Sequence, residues 1–131
     1  MTGDEFREAI GGYSKIHDPV TDEYKIKFME PKVFDEIKRR LKIVARATSE
    51  DRFILVSGIK QKGGLVGMTG EGIADAESLK KADVGLCMGS GCDVAKENSD
   101  LVILDNDFQS VVRAVKWGRA IFDNVRKFLQ F

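Results

Sequence analysis

A chain of 131 residues is long enough for one domain, and 43% hydrophobic with 32% charged residues describes an ordinary core under a charged surface. Its 21 basic and 21 acidic side chains cancel, so the overall balance offers nothing to recruit nucleic acid or an anionic membrane surface. One histidine, His17, and two cysteines, Cys87 and Cys92, are too few for a zinc site or a Ser-His-Asp or Cys-His catalytic set.

The first elements are weakly patterned. "EFREAI" reads as a helical turn or two, "GGYSKIHDPVTDEY" as a loop carrying an exposed His17, and "YKIKF" as a short edge strand by its alternation. From Pro31 the pattern sharpens. "PKVFDEIKRRL" opens on proline and sets Val33, Ile37 and Leu41 on one helical face. "KIVAR" reads as a strand. The next helix is expected to start at Ser49 as N-cap, to place Phe53, Val56 and Ile59 on one face, and to stop at Gly63-Gly64. There follow a strand in "LVGMTG", a short helix in "ADAESLKKA", a strand in "VGLCMG", a helical turn in "GCDVAKENS", a strand in "LVILD" and a long helix from Asn106.

Alternating short apolar strands and helices predict an α/β fold with a mostly parallel sheet, whose ligands bind at the carboxyl ends of the strands. The last helix keeps apolar spacing to Phe131 with no stop signal, which predicts continuation into a longer protein; a helix that ends there and docks on the domain fits the same pattern. No signal peptide and no apolar run of roughly 20 residues is present, so the chain as given is expected to be soluble.

Three features fall at the carboxyl edge of the predicted sheet. In "TGEG", glycines flank Glu71 and permit a sharp turn and close approach of a ligand. Glu71 and Asp75 suit a hard cation such as Mg²⁺, or equally a turn residue and a helix-start acid. Arg52 in the first turn of its helix opposes the helix dipole; it can hold an anion there, or be neutralised by Glu50 and Asp51 on a solvated surface. "MGSG" is a wall of a site or a plain strand-to-helix connection. Spacing by itself favours the plainer reading of each. There is no GxxxxGK[ST] loop.

The motifs in order from "VARATSEDRF" through "GMTGEGIADAESLKKADVGLCMG" to "WGRAIFDNVRKFLQF" resemble the second part of the phosphorylation domain of P-type ATPases, of the plasma-membrane calcium-pump type. The resemblance runs from about Leu41 to Phe131, and "TGDEFR" near the start resembles the segment that precedes this region in such pumps. It implies a haloacid-dehalogenase-like (Rossmann-like) parallel sheet. It also implies a phosphoryl-transfer site in which the aspartate of a DKTGT motif accepts the γ-phosphate of ATP, a TGDGxND motif binds Mg²⁺, and an upstream lysine holds the phosphoryl group. Carried over by position, Thr69, Gly70 and Gly72 match the loop, Glu71 stands for the first aspartate, Ala74 for the asparagine, Asp75 for the last aspartate and Arg52 for the lysine.

The resemblance divides the chain into a variable leading segment, residues 1–30, a domain core, 31–118, and the start of a stalk helix, 119–131, that leads to a transmembrane segment. It places the segment on the cytoplasmic side of a membrane protein, with ATP, a transported cation (Ca²⁺) and the remaining pump domains as partners. No DKTGT is present, so this chain alone lacks the phosphorylated aspartate and the strand that bears it. An incomplete sheet leaves unpaired edges and predicts self-association. Two other readings are a catalytically impaired stand-alone module derived from this domain and a soluble haloacid-dehalogenase-type phosphatase, which needs a nucleophilic aspartate on an early strand.

Overall fold

The computed structural model describes residues Met1–Phe131. Helix α1, Gly3–Ala9, starts at a reciprocal cap: the Thr2 side chain accepts from the Glu5 N–H and the Glu5 carboxylate accepts from the Thr2 N–H. Its inward residue Phe6 and the adjoining Ile10 are fully buried. Gly11 and Gly12, both at positive φ (68° and 109°), turn the chain into an antiparallel hairpin of β1, Tyr13–Asp18, and β2, Glu23–Phe28.

The expected loop at 11–24 is therefore largely strand. β1 buries no residue and Ile16 faces solvent, so it shows no apolar alternation, whereas Ile26 and Phe28 of β2 point into the core. His17 is exposed, as expected, and its Nε2 lies 2.8 Å from Asp22 Oδ1.

Helix α2, Pro31–Arg40, buries Phe34, whose ring stacks on Phe28 at 4.2 Å between centroids. "KIVAR" forms no strand. Its only ladder contact is an isolated parallel bridge between Ala45 and Thr2, and Ile43 is 74% exposed, because no neighbouring strand lies beside it. Helix α3, Ser49–Gln61, is capped by Thr48 rather than Ser49. The reciprocal form of the cap uses an acid three residues on, which Asp51 supplies to Thr48, whereas Ser49 would meet Arg52. Phe53 and Ile54 join Phe6, Ile10, Ile26, Phe28 and Phe34 in one core. Gly58 permits this packing, since a Cβ there would lie 2.4 Å from the Phe34 ring.

The second half is the parallel α/β unit. Strand β3, Gly67–Gly70, is followed by a 3-10 turn, Ile73–Asp75, and α4, Ala76–Lys81; then come β4, Val84–Met88, α5, Asp93–Glu97, β5, Leu101–Ile103, and α6, Phe108–Gln130. The sheet order is β3-β4-β5, all parallel, with Gly70 opposite Cys87 and Met88 opposite Ile103. Alternate residues of β4 serve opposite faces: Cys87 packs with Leu79 and Ala95, while Leu86 and Met88 pack with Ile103 against Val111 and Ala114 of α6. β3 is an edge strand. Cys87 and Cys92 are free thiols, and burial pushes the Cys87 thiol pKa up.

Candidate functional site

The carboxyl ends of β3 and β4 open onto a cleft of about 620 Å³. Arg52, Thr69, Gly70, Glu71 and Asp75 line it, joined by Met88, Asn106 and Phe108. The structure thus gathers Arg52 with the residues of the "TGEG" turn, although Arg52 arrives on a different helix. Gly72 is part of the same turn and contributes its N–H rather than a wall. Ala74 is exposed and brings no polar group to the loop.

Asp75 organises this corner. Its Oδ2 accepts from the backbone N–H groups of Glu71 (3.1 Å) and Gly72 (3.0 Å), which closes the turn after β3. Its Oδ1 accepts from Arg52 Nη1. Arg52 Nη2 in turn donates to the Ala47 carbonyl at 3.3 Å. The side chain of Asp75 is only 14% exposed, so this is a sheltered, charge-assisted hydrogen-bonded pair. The approach depends on Gly70, because a Cβ there would fall 2.6 Å from Asp75 Cβ.

The start of α3, which carries Arg52, is fixed by the residue before it. Asp51, fully buried, accepts from the Thr48 N–H (2.8 Å), the Thr48 hydroxyl (2.9 Å) and Arg7 Nη1 (2.6 Å to Oδ2). Burial pushes the Asp51 carboxyl up, but the Thr48 hydrogen bonds and the Arg7 guanidinium outweigh it and hold it below the usual carboxylate range. Asp51 is therefore committed to the cap and to Arg7, and Arg52 takes its carboxylate from Asp75 instead. Neither alternative drawn from spacing describes this arrangement.

The second glycine turn is tied to the same cleft. The Cys92 N–H donates to the Glu71 carbonyl at 2.9 Å, the Gly89 N–H to Ile103 at 2.8 Å, and the Ser90 N–H to Asn106 Oδ1 at 2.8 Å. "MGSG" is both a strand-to-helix connection and a support of the cleft. Asn106 and Phe108 escape a reading of motifs. The signal for Asn106 is the Asp-Asn-Asp turn after β5, where Asn106 takes φ of 53°.

Of the two carboxylates expected to face Mg²⁺, Asp75 already accepts two N–H groups on Oδ2 and one on Oδ1, while the Glu71 carboxylate has no hydrogen-bond or ion-pair partner, so Glu71 is the one with the larger free capacity for a cation.

The chain is similar to known proteins over most of its length. The chain is 37% identical over its whole length to plasma-membrane-type calcium-transporting ATPase 9 of Arabidopsis thaliana, and 50% identical over 70% of its length to plasma-membrane-type calcium-transporting ATPase 7 of Oryza sativa subsp. japonica. The chain belongs to the P-type ATPase family. It spans 13% and 9% of those two relatives. Among solved structures, a zinc-transporting PIB-type ATPase in its E2.Pi state superposes with a TM-score of 0.61 at 31% identity over 75% of the chain and 16% of the pump. The catalytic domain of the CPx-ATPase CopB-B gives 0.54 at 31% identity over 68% of the chain and 36% of that domain. No protein-family model matches. The chain is thus a P-type ATPase segment with the expected mixed α/β fold and parallel sheet. No helix is long and apolar enough to cross a membrane.

Proposed function

We propose that this segment forms one wall of the phosphoryl-transfer site of a calcium-transporting P-type ATPase, with ATP, Ca²⁺ and the pump's other domains as partners. The observation that carries the reading is the convergence of Arg52, Thr69, Glu71 and Asp75 in one cleft at the carboxyl ends of β3 and β4. Each stands at a position the phosphorylation-domain motifs would assign. Arg52 is the cation for the transferred phosphoryl group, Thr69, Gly70 and Gly72 shape the loop around it, and Glu71 is the carboxylate left for Mg²⁺. Asp75 acts as a positioning residue through its three hydrogen bonds. The phosphate-accepting aspartate must come from outside this sequence, since no DKTGT occurs in it. The cytoplasmic side of the membrane is where such a wall would meet ATP.

The free edge of β3, which pairs only with β4, supports self-association of the isolated chain. Sedimentation should show oligomers, and a monodisperse monomer would refute that part.

A catalytically impaired module is favoured by one observation: Arg52, the proposed phosphoryl cation, is already paired with Asp75. A chimera decides between the readings. The segment replaces its counterpart in a calcium-transporting relative, and ATP-dependent phosphoenzyme and Ca²⁺ uptake are measured. Phosphoenzyme formation supports the first reading. If label appears only after Arg52→Lys, Glu71→Asp and Ala74→Asn are introduced together, the impaired-module reading holds. If the restored chimera stays unlabelled while folded, neither assignment of the cleft survives.

A further inference from the structure

The run "CMGSGC" holds both cysteines of the chain, and neither thiol has a part in the cleft chemistry. Cys87 lies in β4 and is fully buried, while Cys92, half-buried, stands just before α5. The fold sets them on one face of the sheet. Cys87 packs with Leu79 and Ala95, and Cys92 packs against that same cluster. Between them the chain doubles back, because the Gly91 N–H donates to the Met88 carbonyl at 2.9 Å and closes a four-residue turn. The Cys87 sulfur sits against this turn: a Cβ at Gly91, the residue before Cys92, would lie 2.5 Å from it. A disulfide asks for Cα atoms about 4.4–6.8 Å apart, and a closed turn holds its own ends within about 7 Å.

We infer that Cys87 and Cys92 are a redox-sensitive pair, a modification site at which a low-molecular-weight disulfide such as oxidised glutathione converts the two thiols into one intramolecular disulfide. Cys92 is the accessible partner. Its thiolate attacks one sulfur of the glutathione disulfide, forms a mixed disulfide and releases one glutathione thiol. Cys87 then gives up its proton, attacks the Cys92 sulfur and expels the second glutathione. The two protein thiols lose two electrons and two protons, and one glutathione disulfide becomes two thiols. Until that second step Cys87 is held as a thiol. Burial pushes its pKa up, and its Sγ–H donates to the Met88 carbonyl at 3.3 Å.

A loop this short removes little chain entropy when it closes, so the bond is readily reduced. In a reducing compartment such bonds are transient and report the state of the thiol pool. The turn they would lock is a support of the cleft, since the Cys92 N–H donates to the Glu71 carbonyl at 2.9 Å and Met88 lines the cleft wall. Oxidation therefore pins the turn that carries Glu71. The thiol chemistry itself is independent of the phosphoryl-transfer reading.

The 131-residue chain is equilibrated with reduced and oxidised glutathione at a series of ratios, quenched in acid, alkylated and cut with trypsin. One tryptic peptide, Ala82–Lys96, carries both cysteines. The oxidised chain should yield it two hydrogens lighter and closed to alkylation until dithiothreitol is added. The folded chain should hold the bond at a glutathione ratio at least about tenfold more reducing than the same chain in urea. Cys87→Ala, which keeps a small apolar group in the cluster, should stop at the glutathione adduct on Cys92, and Cys92→Ser should take up no glutathione; circular dichroism confirms that both are folded. Oxidation should also slow hydrogen exchange of the Cys92 amide by about tenfold. A lasting glutathione adduct on Cys92 in the parent, disulfides between chains instead of within one, or a bond held equally well in urea overturns the inference. Unchanged exchange at Cys92 overturns its coupling to Glu71.

Discussion

Arg52 and Asp75, 23 residues apart in sequence, are joined by a sheltered hydrogen-bonded ion pair that ties the start of α3 to the turn after β3. The two partners are not equivalent. Asp75 also accepts two backbone N–H groups, whereas Arg52 is 37% exposed and can turn to water. Asp75→Ala should therefore cost about 1–3 kcal/mol by leaving loop donors unpaired, and Arg52→Ala less than about 1 kcal/mol. Urea unfolding of both variants checks the ranking, and a larger loss for Arg52→Ala would show that the pair rather than the turn supplies the stability.

The close approach at Gly70 makes a second prediction. A Cβ at Gly70 meets Asp75 Cβ at 2.6 Å, while at Gly67, in the same strand, the nearest atom is the Val84 carbonyl oxygen at 3.9 Å. Gly70→Ala should destabilise by about 1–3 kcal/mol as the turn shifts, and Gly67→Ala should stay within about 0.5 kcal/mol of the parent. Thermal melts of the two variants are the comparison, and equal melting temperatures would contradict the geometry.

The parallel unit was the most legible part of the sequence, and the reason is physical. β4 is nearly all buried, so "VGLCMG" carries a dense apolar signal bounded by glycines. The hairpin was illegible at β1 because the four residues between its half-buried ends, Ser14 to His17, are exposed on both faces and impose no alternation. "KIVAR" misled in the opposite sense: it has strand composition, but a strand also needs a partner, and Ala45 finds only Thr2. At the site, motif positions brought Arg52 and the "TGEG" turn to one cleft. They did not reveal that Asp75 spends both oxygens on Arg52 and the loop, because that depends on the α3 approach. Asn106 was hidden because its role, accepting from Ser90, joins two turns 16 residues apart.

Asn106 supplies a third test. It combines a positive φ of 53° with the hydrogen bond from the Ser90 N–H. Asn106→Gly keeps the backbone freedom and loses only the acceptor, whereas Asn106→Ala loses both. The alanine variant should be less stable than the glycine variant by about 1 kcal/mol. If the two are equal in chemical denaturation, φ at this position carries no strain.

Acid provides the last test. Asp51 is held below the usual carboxylate value by Thr48 and Arg7 against the opposing effect of burial. A depressed folded pKa means that the unfolded chain takes up the proton first as pH falls. The stabilisation is thus fully present above about pH 4, the ordinary aspartate value, and is lost as pH falls through the lower folded value. Asp51→Asn removes this charge while keeping a similar shape. At pH 7 it should be less stable by about 1–3 kcal/mol, and the gap should close as the parent is acidified below pH 4. Urea midpoints across that range measure it. A gap that stays constant with pH would mean that Asp51 contributes through shape and hydrogen bonding, and that its charge opposite Arg7 adds nothing to holding α1 against α3.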